Sequence, residues 1–412
     1  MVTHADTLGA GRLAAHRTLH TDDPRRFDKL STPVSPDARP DPLPRRDREL
    51  DELANAEVVA PGVAPCAVLG VAVHDGVRWH AAFGAAGHAG TRQATLETPF
   101  DLASVTKPFV AATAAALARR GLLSLDDPLT TPGLSATGAV AEPGPSLAQL
   151  LSHRAGLEAH RRLYAPLEEK RPFEKARAIA TALSSRRAEC RDVPPGSDCP
   201  PLYSDLGYLL AGETLAASAR LDLDTLVARE VTAPLELRVG SARQWLRAAP
   251  SFSVDAAPTE NVTFRGGLLR GVVHDENAWA LAGHGIAGHA GLFGTAPAVA
   301  RFGMALLDAL AGRQRGWLDT AAVRRMVEPR EGGTLRMGFD GKSATGSAAG
   351  DVASSDSFGH LGFTGTSLWC DPRLGRVSVL LTNRVCPTRA HTAIRAARPR
   401  VHDALVRHAL GG

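Results

Sequence analysis

Apolar and polar positions alternate most clearly near the two ends of the chain. Residues 67–74 and 77–83 are runs of small apolar and β-forming residues split by Asp75-Gly76. Asp-Gly between such runs predicts a β-hairpin, because it accepts the positive φ of a tight turn. A second pair of runs, 366–370 and 376–384, flanks the turn sequence Asp371-Pro372-Arg373-Leu374-Gly375. Between these ends the period changes. Val299, Phe302, Leu306 and Leu310 recur at helical spacing behind Thr295, a candidate N-cap, and Pro297 in the first turn. Residues 168–187 and 206–217 carry the same period, and a short helix is expected near 47–56.

Two hairpins at opposite ends of a chain pair most simply within one sheet. The expected fold is therefore α/β: an antiparallel sheet built from both chain ends and flanked by helices, with a large, mainly helical region inserted. The α/β part is placed at about 46–122 and 336–412, the helical part at about 123–335. Residues 1–45 mix Pro, Arg, Asp and Ser without an apolar period. A flexible tail is expected there, since so little apolar surface cannot offset chain entropy.

Composition excludes several classes. With 47 Lys plus Arg against 43 Asp plus Glu, a net charge of +4 over 412 residues does not point to nucleic acid. No apolar run has the length of a membrane span. The first residues lack the apolar core of a secretory signal, which places the protein in the cytoplasm. A misassigned start or a missing leader would move it to the periplasm or outside the cell. Five cysteines is an odd number. Cys190 and Cys199 flank a Pro/Gly loop and could bridge in an oxidising compartment, but the missing signal favours two free thiols.

The chemistry begins at Ser104-Val105-Thr106-Lys107. Only five of the basic residues are lysines, so an amine at 107 is notable. Unlike a guanidinium, it can lose its proton when desolvated. Ser104 stands one helical turn before it, at a helix start where backbone N–H groups favour a developing anion. That is the arrangement of a hydroxyl activated by a neighbouring base. Alone, the pair reads equally well as a capping serine and a surface lysine. Ninety-nine residues on, Tyr203-Ser204-Asp205 holds one of only three tyrosines. Its phenol is a candidate acid–base group, though a core tyrosine is the commoner fate. His360-Leu361-Gly362-Phe363 opens the late hairpin's first strand, where glycine lets a substrate backbone lie close. The Phe363 N–H could join that of Ser104 as an oxyanion hole.

In this order, Ser-x-x-Lys, Tyr-x-Asp and His-x-Gly resemble the active site of the penicillin-recognising serine hydrolases. These comprise class C β-lactamases, DD-peptidases and related esterases. Phe100-Asp101-Leu102-Ala103 and the run Leu150-Leu151-Ser152-His153-Arg154-Ala155-Gly156-Leu157 are similar to stretches of that family. So are His274-Asp275-Glu276-Asn277 and Gly288-His289-Ala290-Gly291-Leu292-Phe293. The resemblance runs from about residue 47 to the C-terminus. It implies catalysis by Ser104, Lys107 and Tyr203 through an acyl-enzyme, with Asp205, His360, Gly362 and Phe363 binding substrate or stabilising the oxyanion. No metal or organic cofactor is implied.

Departures from the family pattern bear on substrate. Asp205 stands where many relatives have Asn, and it should pair with Lys107 and favour the ammonium, leaving Tyr203 the better base. His360 replaces the lysine of true β-lactamases, and Leu361 removes a hydroxyl. These changes predict weaker recognition of an anionic amide and an esterase-like hydrolase, with DD-carboxypeptidase or weak β-lactamase activity as alternatives. Substrates would be small esters, peptides or β-lactam-like molecules. A non-catalytic binder of peptides or cell-wall fragments is the rival of another class. His274, His284 and His289 invite a metal reading, but glycine crowding around them favours tight turns. The absence of Gly-x-Ser-x-Gly excludes the α/β-hydrolase nucleophile elbow.

Overall fold

A computed structural model describes residues 45–129, 144–193, 196–313 and 316–408. The expected tail lies outside these residues apart from Arg45. Both hairpins form where the alternation places them. The first is β1 (Cys66–His74) and β2 (Trp79–Ala89). The late strands are β3 (Phe358–Leu361), β4 (Ser367–Asp371) and β5 (Arg376–Thr382). They join in one sheet of order β2-β1-β5-β4-β3, with two-residue strands at either edge. The seam between chain ends is β1 against β5, antiparallel from Arg376↔Val73 to Thr382↔Ala67.

Both faces of this seam are apolar, so both must be covered. On one face lie α1 (Arg48–Ala54) and α5 (Ile394–Arg407). Their Leu50, Ala54, Val401 and Leu405 pack with Leu69, Val71 and Leu380 of the sheet. His402 ties α5 down: its two ring nitrogens lie 2.8 Å from Ser367 Oγ and 2.9 Å from Ser378 Oγ. Burial pushes this imidazole down to about 3, so it is a neutral polar clamp. On the other face α4 (Ala296–Leu310) packs on β1, β4 and β5. Its Phe302 ring stacks 4.1 Å from Phe109 of α2 (Thr106–Arg119). Thus α2, which follows Ser104, is held in the interior.

The inserted region is helical, as the period predicts, with differences. The 168–187 pattern splits into Ala165–Glu168 and Lys175–Ser184, because Pro172 cannot continue a helix. Thr295 occupies the N-cap of α4 without a side-chain capping bond; only its carbonyl accepts, from Val299 N–H at 3.1 Å. A small sheet of Phe100–Asp101, Leu292–Gly294 and Val239–Ser241 was not expected, since strands this short show no alternation.

The expectation of free thiols at 190 and 199 is corrected. Cys190 and Cys199 form a disulfide with Cα atoms 6.1 Å apart, within the span a bridge needs. The loop between them closes because Cys190 N–H bonds to the Arg187 carbonyl and Cys199 N–H to that of Arg154. Cys66, Cys370 and Cys386 are free. Alkylation of denatured, unreduced protein should therefore add three groups by mass, and five after reduction. Five before reduction would rule the bridge out.

Candidate active site

Ser104 lies in a 3₁₀ turn, Ala103–Val105, that runs straight into α2. Sequence and backbone here are under tension: Ala103 has φ +46°, which costs a non-glycine residue about 1–3 kcal/mol unless its surroundings impose it. They do. Asp101 Oδ1 accepts the Ala103 N–H at 2.8 Å, and Leu102 N–H bonds to the Leu292 carbonyl at 2.9 Å. From the sheet side, Thr364 Oγ1 donates to the Asp101 carbonyl at 2.7 Å and Thr366 Oγ1 to that of Leu102 at 3.0 Å. A Cβ on Gly362 would sit 1.9 Å from Thr366 Oγ1 and 2.6 Å from the Leu102 carbonyl oxygen. Gly362 thus admits the protein's own backbone at Leu102, and it also lines the cavity beside Ser104.

Lys107 is fully buried. Its Nζ donates to Asp205 Oδ1 at 2.7 Å, Ser104 Oγ at 2.9 Å and the His289 carbonyl at 3.3 Å. Asp205 opens helix α3 (Asp205–Ala219), whose N-cap Ser204 accepts from Gly207 N–H. The His289 carbonyl is brought in by glycine: a Cβ on Gly288 would lie 1.7 Å from the Tyr208 carbonyl oxygen. Burial opposes the Lys107 charge, but Asp205 and the Tyr203 oxygen together outweigh it and hold the ammonium above its usual range. The Tyr203 hydroxyl interacts with both Lys107 and Ser104, and its ring centroid is 4.7 Å from Nζ. Burial raises this phenol against the pull of Lys107. Tyr203, distant in sequence, therefore meets the Ser104–Lys107 pair.

Two neutral imidazoles frame them. His153 accepts the Ser204 N–H on Nδ1 at 2.9 Å and stacks 4.7 Å from the Tyr203 ring. Burial holds it well below its usual range. His360 Nδ1 lies 2.9 Å from the Leu361 carbonyl, which can only accept, so Nδ1 carries the proton. Burial first, then Lys107, pushes His360 down to about 3. Phe363 is 49% exposed, its ring 5.7 Å from His274 and 4.3 Å from the Arg384 guanidinium. Arg384 Nε also donates to the Phe363 carbonyl at 2.7 Å.

Ser104, Tyr203 and Asp205 open on a cavity of about 530 Å³, also lined by His160, Tyr164, Gly362 and Phe363. It is also lined by Arg384, Arg389, Arg395 and Arg398, which sequence reasoning missed. The available signal was the density of arginines across 384–398, in a stretch that reads as an ordinary charged helix face. The cavity thus carries cations although position 360 holds a histidine. Arg389 is engaged by Glu260 and Glu276. Arg398 donates to the carbonyls of Gly362 and Thr366. Arg395 is exposed on the helix above them. Two of the three histidines of the metal reading are otherwise engaged. His274 Nε2 lies 2.8 Å from Glu260 and His289 Nε2 lies 2.9 Å from Asp275, carboxylates the sequence did not pair with them, while His284 is exposed.

This is the fold of the β-lactamases and penicillin-binding serine hydrolases. The chain belongs to the Beta-lactamase family, whose model matches residues 55–401. A Salmonella heidelberg protein named "Putative D-alanyl-D-alanine carboxypeptidase" is 26% identical over 312 residues, 71% of each chain. Two solved structures share the fold at 18% identity and a TM-score of 0.61. One is EstCE1, a hydrolase with promiscuous acyltransferase activity (93% of this chain, 99% of that one). The other is a class C beta lactamase from Rhodobacter sphaeroides (86% and 99%).

The close approach at Gly288 makes a stability prediction. Gly288→Ala should cost about 2 kcal/mol or more, because backbone on both sides must move. Urea unfolding measures it, and a midpoint equal to wild type would contradict the packing.

Proposed function

We propose that the chain is a serine hydrolase that cleaves esters through an acyl-enzyme on Ser104. The observation that carries this reading is a serine 2.9 Å from a fully buried amine, beside a phenol, at the mouth of a cavity. Ser104 Oγ attacks the carbonyl carbon while its proton passes to the Tyr203 oxygen. The backbone N–H groups of Ser104 and Phe363 receive the charge on the carbonyl oxygen. Tyr203 then protonates the departing alkoxide, and water repeats the sequence to free the acid. A pure binder would need none of this proton-handling set. The neutral His360 supports the preference for esters, since position 360 itself offers no charge to an anionic substrate.

A second reading is favoured by the arginine wall. A D-alanyl-D-alanine carboxypeptidase must hold a terminal carboxylate, and Arg395 is positioned to meet one. The name of the Salmonella relative is consistent with it. For location, the 190–199 bridge supports an oxidising compartment over the cytoplasm expected from the sequence.

Ser104→Ala should reduce ester turnover by about 10⁴-fold or to background. Retained turnover would overturn the reading. Comparing a neutral nitrophenyl ester with a D-alanyl-D-alanine peptide ranks the two substrates. Arg395→Ala should raise KM about tenfold for the peptide and leave the neutral ester unchanged, the loss of one charge-assisted contact. Equal effects on both would remove Arg395 from substrate recognition.

A further inference from the structure

The Lys107 amine has three neighbours, and their chemistry is unequal. The His289 carbonyl and the Asp205 carboxylate can only accept hydrogen bonds, whereas Ser104 can accept or donate. For Lys107 to take the serine proton, its lone pair must face Ser104 while its two remaining N–H groups serve the other two. A full negative charge at 2.7 Å opposes that change, because it would lose its counter-ion inside the protein. After Asp205, Tyr203 is the other group that favours the ammonium. His153 of the loop before Glu158 and His360 of β3 are held neutral, and Tyr208 of α3 donates its hydroxyl to the Leu151 carbonyl. His160, 45% exposed, stands 4.0 Å from the other Asp205 oxygen. Arg398 lies beyond His360 and acts on that ring.

We infer that Asp205 sets the working pH of the site: by locking Lys107 as the ammonium it leaves Tyr203 to take the Ser104 proton and makes the enzyme an alkaline one. This rests on the serine hydrolase reading above. Asp205 acts through its neighbours and is a positioning residue. The sign follows from charge. Its carboxylate favours the protonated forms of both Lys107 and Tyr203, so the deprotonated base accumulates only at raised pH. Asp205→Asn keeps an oxygen acceptor for Lys107 and removes the charge, which should release both protons at lower pH.

Labelling of the full chain by a fluorophosphonate probe tests this without a known substrate. In that step the Ser104 Oγ–P bond forms, P–F breaks, fluoride leaves, and the serine proton goes to the Tyr203 oxygen. In wild type the labelling rate should rise about tenfold per pH unit between pH 6.5 and 8.5. In D205N the rise should move to lower pH, so that at pH 7 the variant labels about tenfold faster than wild type. Asp205→Glu, which retains the charge, should keep the wild-type limb and guards against a misfolded D205N. A wild-type rate flat from pH 6.5 upward, or a D205N limb unmoved in folded protein, overturns the assignment to Asp205 alone. Absence of labelling at Ser104 in wild type at every pH overturns the serine hydrolase reading, and this inference with it.

Discussion

The buried charge of Lys107 is the constraint around which the rest is arranged. An isolated ammonium in a protein interior costs far more than a domain's whole stability, so the fold must deliver its partners. They come from separate places: Ser104 one turn before it, Asp205 at the start of α3, and a carbonyl from the loop after α3's neighbours, at His289. Each delivery has its own backbone cause. The start of α3 is pinned by Asp205 N–H on the Ala159 carbonyl and by Ser204 Oγ on that of Glu158. The 288–291 loop can reach only because Gly288 lies against the backbone of α3. One amine thus ties two helices and a loop to a single geometry.

The nucleophile's turn is coupled to the sheet by the same economy of contacts. Thr364 and Thr366 reach from the end of β3 to the carbonyls of Asp101 and Leu102, and Arg398 reaches from α5 to the carbonyls of Gly362 and Thr366. The strained φ of Ala103 is therefore over-determined from both sides. It also follows that the arginine wall and the Phe363 N–H share one scaffold. A shift of α5 would move Arg395, Arg398 and the loop beside Ser104 together.

What the sequence made legible follows physical periodicity. The two hairpins were readable because alternation and Asp-Gly turn chemistry are local, and their pairing through β1 and β5 follows from the need to bury both runs. Ser104, Lys107 and Tyr203 were found through residue type and order, supported by a family resemblance. The arginines at 384, 389, 395 and 398 were not, because an arginine gives no local sign of whether it faces solvent or a cavity, whether in a turn (384, 389) or on a helix (395, 398). Thr364, Thr366 and Asp101 escaped for a related reason: their hydroxyls and carboxylate serve backbone groups far away in sequence. The Cys190–Cys199 bridge was underweighted, since compartment was inferred from the first residues and not from the short loop that sets the distance between the thiols.

Two departures from the family pattern, an aspartate at 205 and a histidine at 360, are physically one. With a carboxylate beside it, Lys107 stays an ammonium, and the nearby position 360 then lies in its field. His360 is kept neutral by its burial and by that same ammonium. A second permanent cation there would repel Lys107 with little solvent to screen it. The cations that line the cavity come from the chain after β5, with Arg398 held by the Gly362 and Thr366 carbonyls and Arg395 exposed on α5. The ion pair at Lys107 and the neutral ring at 360 are thus two sides of one electrostatic arrangement.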